Sequence, residues 1–331
     1  MIKERIQKLQ NLMKENGIDL YIIPTSDYHQ SEYVGEYFAA RKYMSGFTGS
    51  AGTLIVGLDN AYLWVDGRYH IQAEKQLAGS GITLMKMGLA NVKSIAQFLD
   101  ENQDKTLGFD GRVLSYEEVK NFKNPIKTDL DLVAKVWEDR PSLSKQPAFI
   151  YDEKYCGESR ASKLQRLRQA MKDCQHHIIT TLDDIVWLFN IRGNDVPCNP
   201  VVLSYALINQ DDAYLYVQDG VIDSKTEAIL KRDGIYIKEY NAIYEDVKKL
   251  TGKVLLDQQT VNYELCHNLN CEMVNSINPT QYFKAIKNET EIKATKNAHI
   301  KDGVAVTKFM YWLKTNVGKI DMDEVSISDK L

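Results

Sequence analysis

The residues most able to do chemistry stand in two stretches of one region. Ser45-Gly46-Phe47-Thr48-Gly49-Ser50-Ala51-Gly52-Thr53 places three glycines at three-residue spacing, and Asp66-Gly67-Arg68-Tyr69 sets an arginine just after an apolar run. A glycine-rich loop can cradle a phosphate with its backbone amides, but the spacing here fits neither familiar form. A P-loop closes on Gly-Lys-Ser/Thr, and Gly52 is followed by Thr53 with no lysine. A dinucleotide fingerprint reads G-x-G-x-x-G, whereas this loop reads G-x-x-G-x-x-G. What remains is a loop that turns sharply and approaches another segment closely. Arg68 is a permanent cation that can grip a carboxylate or a peptide carbonyl. The competing reading of Arg68 is a surface ion pair of little energetic weight.

Other clusters offer less. His29, Glu32 and Glu36 have the spacing of one helical face, which fits a wet surface cluster better than a metal site. His176 and His177 are adjacent, so on a strand they point to opposite faces and cannot chelate together. Cys174 with His176, and Cys266 with His267 and Cys271, lack the paired C-x-x-C of a zinc site and read as packing thiols and a surface imidazole. Asp183-Asp184 reads as a helix N-cap beside the buried run Ile185 to Phe189. Trp64, Trp187 and Trp312 sit among apolar neighbours and are assigned to cores, and His299 to a plain helical position. No Ser/His/Asp or Cys/His set has local support.

The elements that must position these residues follow from periodicity. Ile2, Ile6, Leu9, Leu12 and Met13 recur at helical spacing, with Gly17 where the helix should end. Leu20 to Ile23 reads as a buried strand stopped by Pro24, and residues 25–44 as loop or irregular helix. Leu54 to Val56 and Tyr62 to Val65, joined by Gly57-Leu58-Asp59-Asn60, read as a β-hairpin. Helices are expected over 69–77, 92–99 and 115–122, the last from the Ser115/Glu118 capping box, with strands over 82–87 and 106–109. Residues 139–147 hold two prolines and two serines with little periodicity, and read as a connector.

The pattern then repeats. Lys8 to Lys14 is echoed by Lys163 to Leu167, Tyr21 to Asp27 by His177 to Asp183, and Asp59 to Val65 by Asp211 to Val217. Three matches in one order, at a period of about 155 residues, argue for two copies of one α/β unit rather than a solenoid. The second copy has Asn194 to Pro200 in place of the glycine loop and no counterpart of Arg68. From Asn288 a long helix is expected, with Ile292, Thr295, His299, Val306, Met310 and Leu313 near one face. Gly318 marks its end, and Asp321 or Asp323 caps a second helix running into Leu331. Two helices without a sheet are an incomplete domain, so the chain is expected to be a fragment.

The totals agree. The 331 residues exceed one ordinary core, and 44% hydrophobic with 26% charged residues is the balance of a globular protein. Forty-one basic against 45 acidic residues leave a net charge of −4, which points away from nucleic acid. No apolar run is long enough for a membrane span, and Met1 to Arg5 leads into a helix without a signal-peptide core. Five scattered cysteines fit reduced thiols, hence a cytoplasmic location.

The chain resembles the long, three-domain cytosolic branch of the Xaa-Pro aminopeptidase (aminopeptidase P) family. The resemblance rests on His29 to Tyr33, Ser45 to Gly52, Asp66 to Tyr69, Val136 to Pro141, Leu182 to Val196 and Ala298 to Gly303, and runs in order over essentially the whole chain. It implies an α/β fold: two tandem creatinase N-terminal-like domains, each a mixed sheet flanked by helices, at 1–140 and 161–287, with a linker at 141–160. Residues 288–331 would then begin a truncated pita-bread catalytic domain. In such a family two divalent metals, usually manganese, are held by two Asp, one His and two Glu, and activate a bridging water. None of those motifs is present here, so no catalytic residue, metal ligand or cofactor is assigned to this chain. The resemblance implies that Arg68 contacts the substrate, a peptide with proline second, whose tertiary amide a shaped site can select. The expected function is therefore the non-catalytic N-terminal region of a cytoplasmic metallopeptidase that is a homodimer at full length. The alternative is a non-enzymatic protein- or peptide-binding module on a peptidase-like fold. Prolidase and creatinase themselves are disfavoured by the doubled unit.

Overall fold

The computed structural model describes residues 1–331. Its first helix, Ile2–Glu15, buries Ile6, Leu9 and Met13 on one side. Gly17, at φ +59°, then reverses the chain: Ile18 N–H donates to Met13 O and Gly17 N–H to Lys14 O, closing the helix end.

Fourteen strands follow: β1 Leu20–Pro24, β2 Thr53–Gly57, β3 Ala61–Val65, β4 Ile82–Lys86, β5 Leu107–Gly108, β6 Ile126–Lys127, β7 Phe149–Ile150, β8 His176–Ile179, β9 Ile191–Arg192, β10 Ser204–Asn209, β11 Ala213–Val217, β12 Ile235–Glu239, β13 Lys253–Leu256 and β14 Glu272–Asn275. Two six-stranded sheets form, in the orders β4-β3-β2-β1-β5-β6 and β12-β11-β10-β8-β13-β14. The central three strands of each are antiparallel to one another, and the outer pairs are parallel. The two halves therefore share one topology, as the internal echoes predict. β7 and β9 pair as a separate two-stranded ribbon.

Strand β1 is apolar throughout because both its faces are covered. Tyr21 and Ile23 join the cluster of Leu9, Met13, Leu54 and Leu63, while Leu20 and Ile22 join Ile55, Trp64, Leu107 and Phe109 on the other face. Trp64 is fully buried because its indole N–H finds Lys93 O at 2.8 Å. The hairpin register pairs Leu54 with Leu63 and Ile55 with Tyr62, and Gly57 N–H donates to Asn60 O at 2.7 Å. The second half has a single cluster of 40 buried residues, into which Tyr28 and Phe38 of the first half also pack.

Several expectations are corrected. The helix expected from Val92 starts only at Ile95, because Ser94 with Gln97 forms its capping box. The helix capped by Ser115 stops at Val119. Asp183 and Asp184 do not cap the helix Leu182–Leu188: Thr181 holds the N-cap position, and the two carboxylates lie in the first turn, where they meet Lys284. Trp312 belongs to no core. It is half-exposed on the helix Glu289–Asn316, against Phe309, and no residue of that helix is buried. Apolar side chains such as Ile300, Val304 and Tyr311 stand in solvent there. Asn288 caps this helix with Glu291, and Asp323 caps Glu324–Lys330 with Ser326.

Candidate functional site: an arginine beside a clamped glycine loop

The glycine loop leaves the short helix Ala40–Ser45 through Gly46, at φ +74°, and enters β2 at Thr53. Its tight course needs the other two glycines for space. A Cβ on Gly52 would come within 3.0 Å of Trp64 O, and one on Gly49 would strike the Phe47 ring and sit 2.8 Å from the Tyr69 ring.

What holds this loop is a residue that motif reading passed over. The Arg41 side chain is 3% exposed, and no carboxylate pairs with it. Its guanidinium donates to Phe47 O, Gly49 O and, at 2.9 Å, Thr25 Oγ1, and lies over the Phe47 ring. Thr25 Oγ1 in turn donates to Gly52 O. One planar fork thus satisfies carbonyls on both sides of the loop's sharpest turn, which suits arginine and not lysine. Burial without a counter-charge lowers the Arg41 pKa to about 10. The only sequence signal was its place on the helix face shared with the buried Met44 and Ser45.

The far side of the loop meets Tyr69. The two rings of Phe47 and Tyr69 pack edge to face at 5.7 Å, and Tyr69 Oη and Ser50 Oγ are 2.6 Å apart. Gln72 and Gln76 both donate to Thr48 Oγ1 at 2.9 Å. Tyr69 belongs to the 3₁₀ turn Gly67–Tyr69, which Asp66 caps by accepting from Arg68 N–H. The same carboxylate receives Arg68 Nε and Nη2, each at 2.9 Å. This fork-to-fork pairing lowers the Asp66 carboxyl to about 2 and raises Arg68 further above its ordinary value.

The surface ion pair expected for Arg68 is present. Its partner is Asp66, yet the Arg68 side chain remains 70% exposed. Asp66 engages two of the five guanidinium N–H groups, so three remain for an incoming carbonyl or carboxylate. The paired charge makes this a directional hydrogen-bonding site more than a strong electrostatic one. Substituting Gly49 with alanine is expected to displace the Phe47 and Tyr69 rings and cost about 1–3 kcal/mol in urea unfolding. A Gly67→Ala control, with open space around its Cβ, should cost far less.

Arg68 lines neither of two cavities walled by both halves. One, of about 670 Å³, is walled by Gln30 to Tyr33, Thr181 to Asp183 and Pro197 to Asn199. The other, of about 250 Å³, lies on the inner side of the glycine loop and reaches Arg41, Thr25 and Glu32.

The remaining candidates disperse. Glu32 and Glu36 are exposed, but His29 is buried at 1% exposure, so the surface-cluster reading fails for it. The reason is that residues 28–35 form a loop, not a helix, and it tucks the imidazole into the second half. There His29 Nδ1 faces Thr180 O at 2.9 Å and Nε2 faces Tyr240 Oη at 2.6 Å. His177 is fully buried while its neighbour His176 stays half-exposed, in keeping with opposite faces of β8. Cys174 and Cys266 are buried free thiols and His267 is exposed. No three His, Cys, Asp or Glu side chains converge in a way that could hold a metal ion.

Residues 5–139 and 139–291 each match a creatinase/prolidase N-terminal domain. The chain is similar to a probable Xaa-Pro aminopeptidase P of Botryotinia fuckeliana, 35% identical over 99% of this chain and 54% of that protein. It is likewise similar to Xaa-Pro aminopeptidase 1 of Dictyostelium discoideum, 33% identical over 100% of this chain and 57% of that protein. Among solved structures, the X-prolyl aminopeptidase of Caenorhabditis elegans, described as a cytosolic enzyme with a di-nuclear active site, superposes with a TM-score of 0.92. That match is 28% identical and covers 100% of this chain and 59% of that one. The chain thus spans a little over half the length of these relatives. With two such domains in tandem and homology along its whole length to the Xaa-Pro aminopeptidases, the chain belongs to the creatinase/prolidase family.

Proposed function

We propose that these residues are the non-catalytic N-terminal region of a metal-dependent, cytoplasmic Xaa-Pro aminopeptidase, shaping access of substrate to a catalytic domain beyond them. The observation that carries this reading is similarity along 99–100% of the chain to proteins 33–35% identical, of whose own length it spans only 54–57%. In this reading domain I is 1–140, the linker 141–160 and domain II 161–287, and residues 288–331 open the catalytic domain. The two divalent metals, manganese by preference, and the homodimer contacts belong to the part outside these residues. Arg68 is the one substrate contact assigned here. Its free N–H groups receive a carbonyl or carboxylate of a peptide with proline second, while Asp66 and the clamped loop hold it in place.

Two measurements test this. The 331-residue chain, supplied with manganese, should not hydrolyse Xaa-Pro peptides, and the chain extended through the catalytic domain should. Activity in the short chain would defeat the reading, and an extended chain that binds such peptides without cleaving them would favour a binding module. In the extended enzyme, Arg68→Ala should raise KM about tenfold with kcat changed less than about twofold, because uniform binding is lost. An unchanged KM would return Arg68 to the role of a surface ion pair.

A further inference from the structure

The contact between the two halves is built on a repeated edge. Tyr116 N–H donates to Val261 O at 3.0 Å, and Tyr263 N–H donates to Leu114 O at 2.9 Å. Glu117 N–H donates to Gln258 O at 2.9 Å, and Glu264 N–H donates to Gly111 O at 3.0 Å. Ser115 and Asn262 face each other as an antiparallel bridge between these bonds. Adding 147 to any residue number on the first edge gives its counterpart on the second, so every donor on one side is matched by the same donor on the other. The side chains follow the rule as well. The Tyr116 and Tyr263 rings stack at 6.1 Å and 11°. Ser115 and Asn262 each cap the helix that follows, at Glu118 N–H and Leu265 N–H.

Reciprocity of this kind, residue i to j and j to i, is the signature of an isologous, two-fold contact between copies. Here it lies inside one chain, and both edges leave equivalent strands, β5 and β13, of sheets with the same strand order. We infer that the edge Gly111–Glu117 is a docking surface for a second copy of its own unit, and that domain II fills it by presenting the same surface again. The pairing is carried by four backbone bonds, so it tolerates the change from Leu-Ser-Tyr-Glu to Val-Asn-Tyr-Glu between the two edges. At Glu117 a homotypic pair brings no new like-charge contact, since its symmetric counterpart is already Glu264. Contacts outside the symmetric set bias the chain toward its internal pairing. These include His29 to Thr180 O and Tyr240 Oη, Asn262 Nδ2 to Tyr28 O at 2.9 Å, and Lys120 Nζ to Gln258 Oε1 at 3.2 Å. The first half has its own complete sheet, and the buried members of its two clusters all lie within residues 6–137, so it is equipped to fold alone.

The test has one reading on the intact chain and one on the freed half. By hydrogen exchange on the whole chain, the amides of Tyr116, Glu117, Tyr263 and Glu264 should open in one event, with protection agreeing within about threefold. A difference of more than about tenfold between the two edges would overturn the two-fold contact. Next, a protease site placed between Pro141 and Ser142 releases residues 1–141. The freed half should run as a dimer on gel filtration and in native mass spectrometry, and Tyr116→Arg should make it a monomer with an unchanged circular dichroism spectrum. A folded wild-type monomer across the micromolar range would refute the proposal. Should the freed half unfold, the exchange pattern alone decides.

Discussion

Replacing Arg41 with methionine is expected to lower the unfolding free energy of the first domain by about 3 kcal/mol, seen as a lower urea midpoint at unchanged slope. Methionine keeps most of the apolar stem but leaves Phe47 O, Gly49 O and Thr25 Oγ1 without the donors they have now. A hydrogen bond from a charged donor contributes about 1.5–3 kcal/mol, and a buried acceptor left alone costs about 1–3 kcal/mol. Against that stands the relief of burying an unpaired cation, which the depressed Arg41 pKa of about 10 records. Three lost partners outweigh one relieved charge. Arg41→Lys should recover only part of the loss, since an ammonium cannot span both loop carbonyls. In the extended enzyme, both variants should also raise KM, because a loosened loop no longer holds Tyr69 and, through it, Arg68. A midpoint equal to wild type would show that the loop holds itself.

His29→Ala is expected to destabilise the chain by about 3 kcal/mol at neutral pH and to remove a proton-linked part of its stability. The ring packs tilted against Tyr205, with centroids 4.5 Å apart, and joins the two halves, so its loss leaves a cavity and orphans Thr180 O and Tyr240 Oη. In the neutral ring Nδ1–H donates to Thr180 O and Nε2 accepts from the Tyr240 hydroxyl. Burial lowers the His29 pKa, and the nearby Asp27 and Asp195 only partly oppose it. The native value thus lies below the unfolded one, near 6.5, so the unfolded state binds the proton first. Stability is full above about pH 6.5 and is lost as pH falls toward the native value, at up to about 1.4 kcal/mol per pH unit. Urea titrations at a series of pH values between 7 and 5 should give wild type a slope steeper than His29→Ala, by up to one proton. Parallel slopes would mean that His29 is not the group responsible.

Much of this protein was legible without coordinates. The doubled α/β unit followed from three echoes in one order, because strands buried on both faces must be apolar runs wherever they recur. The hairpin of β2 and β3, the Ser115/Glu118 box and the cap at Asp323 are local chemistry, decided within three or four residues of chain. The sharp turning of the glycine loop was visible for the same reason, since spacing alone limits what such a loop can do. What could not be read were the partners of polar groups far apart in sequence. His29 read as part of a wet surface cluster until Tyr240 and Thr180 arrived from more than a hundred residues away. Lys163 stood out only as part of an internal echo, yet it is buried under Trp187, bonded to Trp187 O and Asn190 Oδ1, with its pKa lowered to about 8. Arg41 carried no motif, and only the folded loop put three acceptors around it. Local pattern specifies which elements form, because backbone conformation depends on near neighbours. Which buried charge meets which acceptor depends on how completed sheets and loops come together, and that belongs to the tertiary structure.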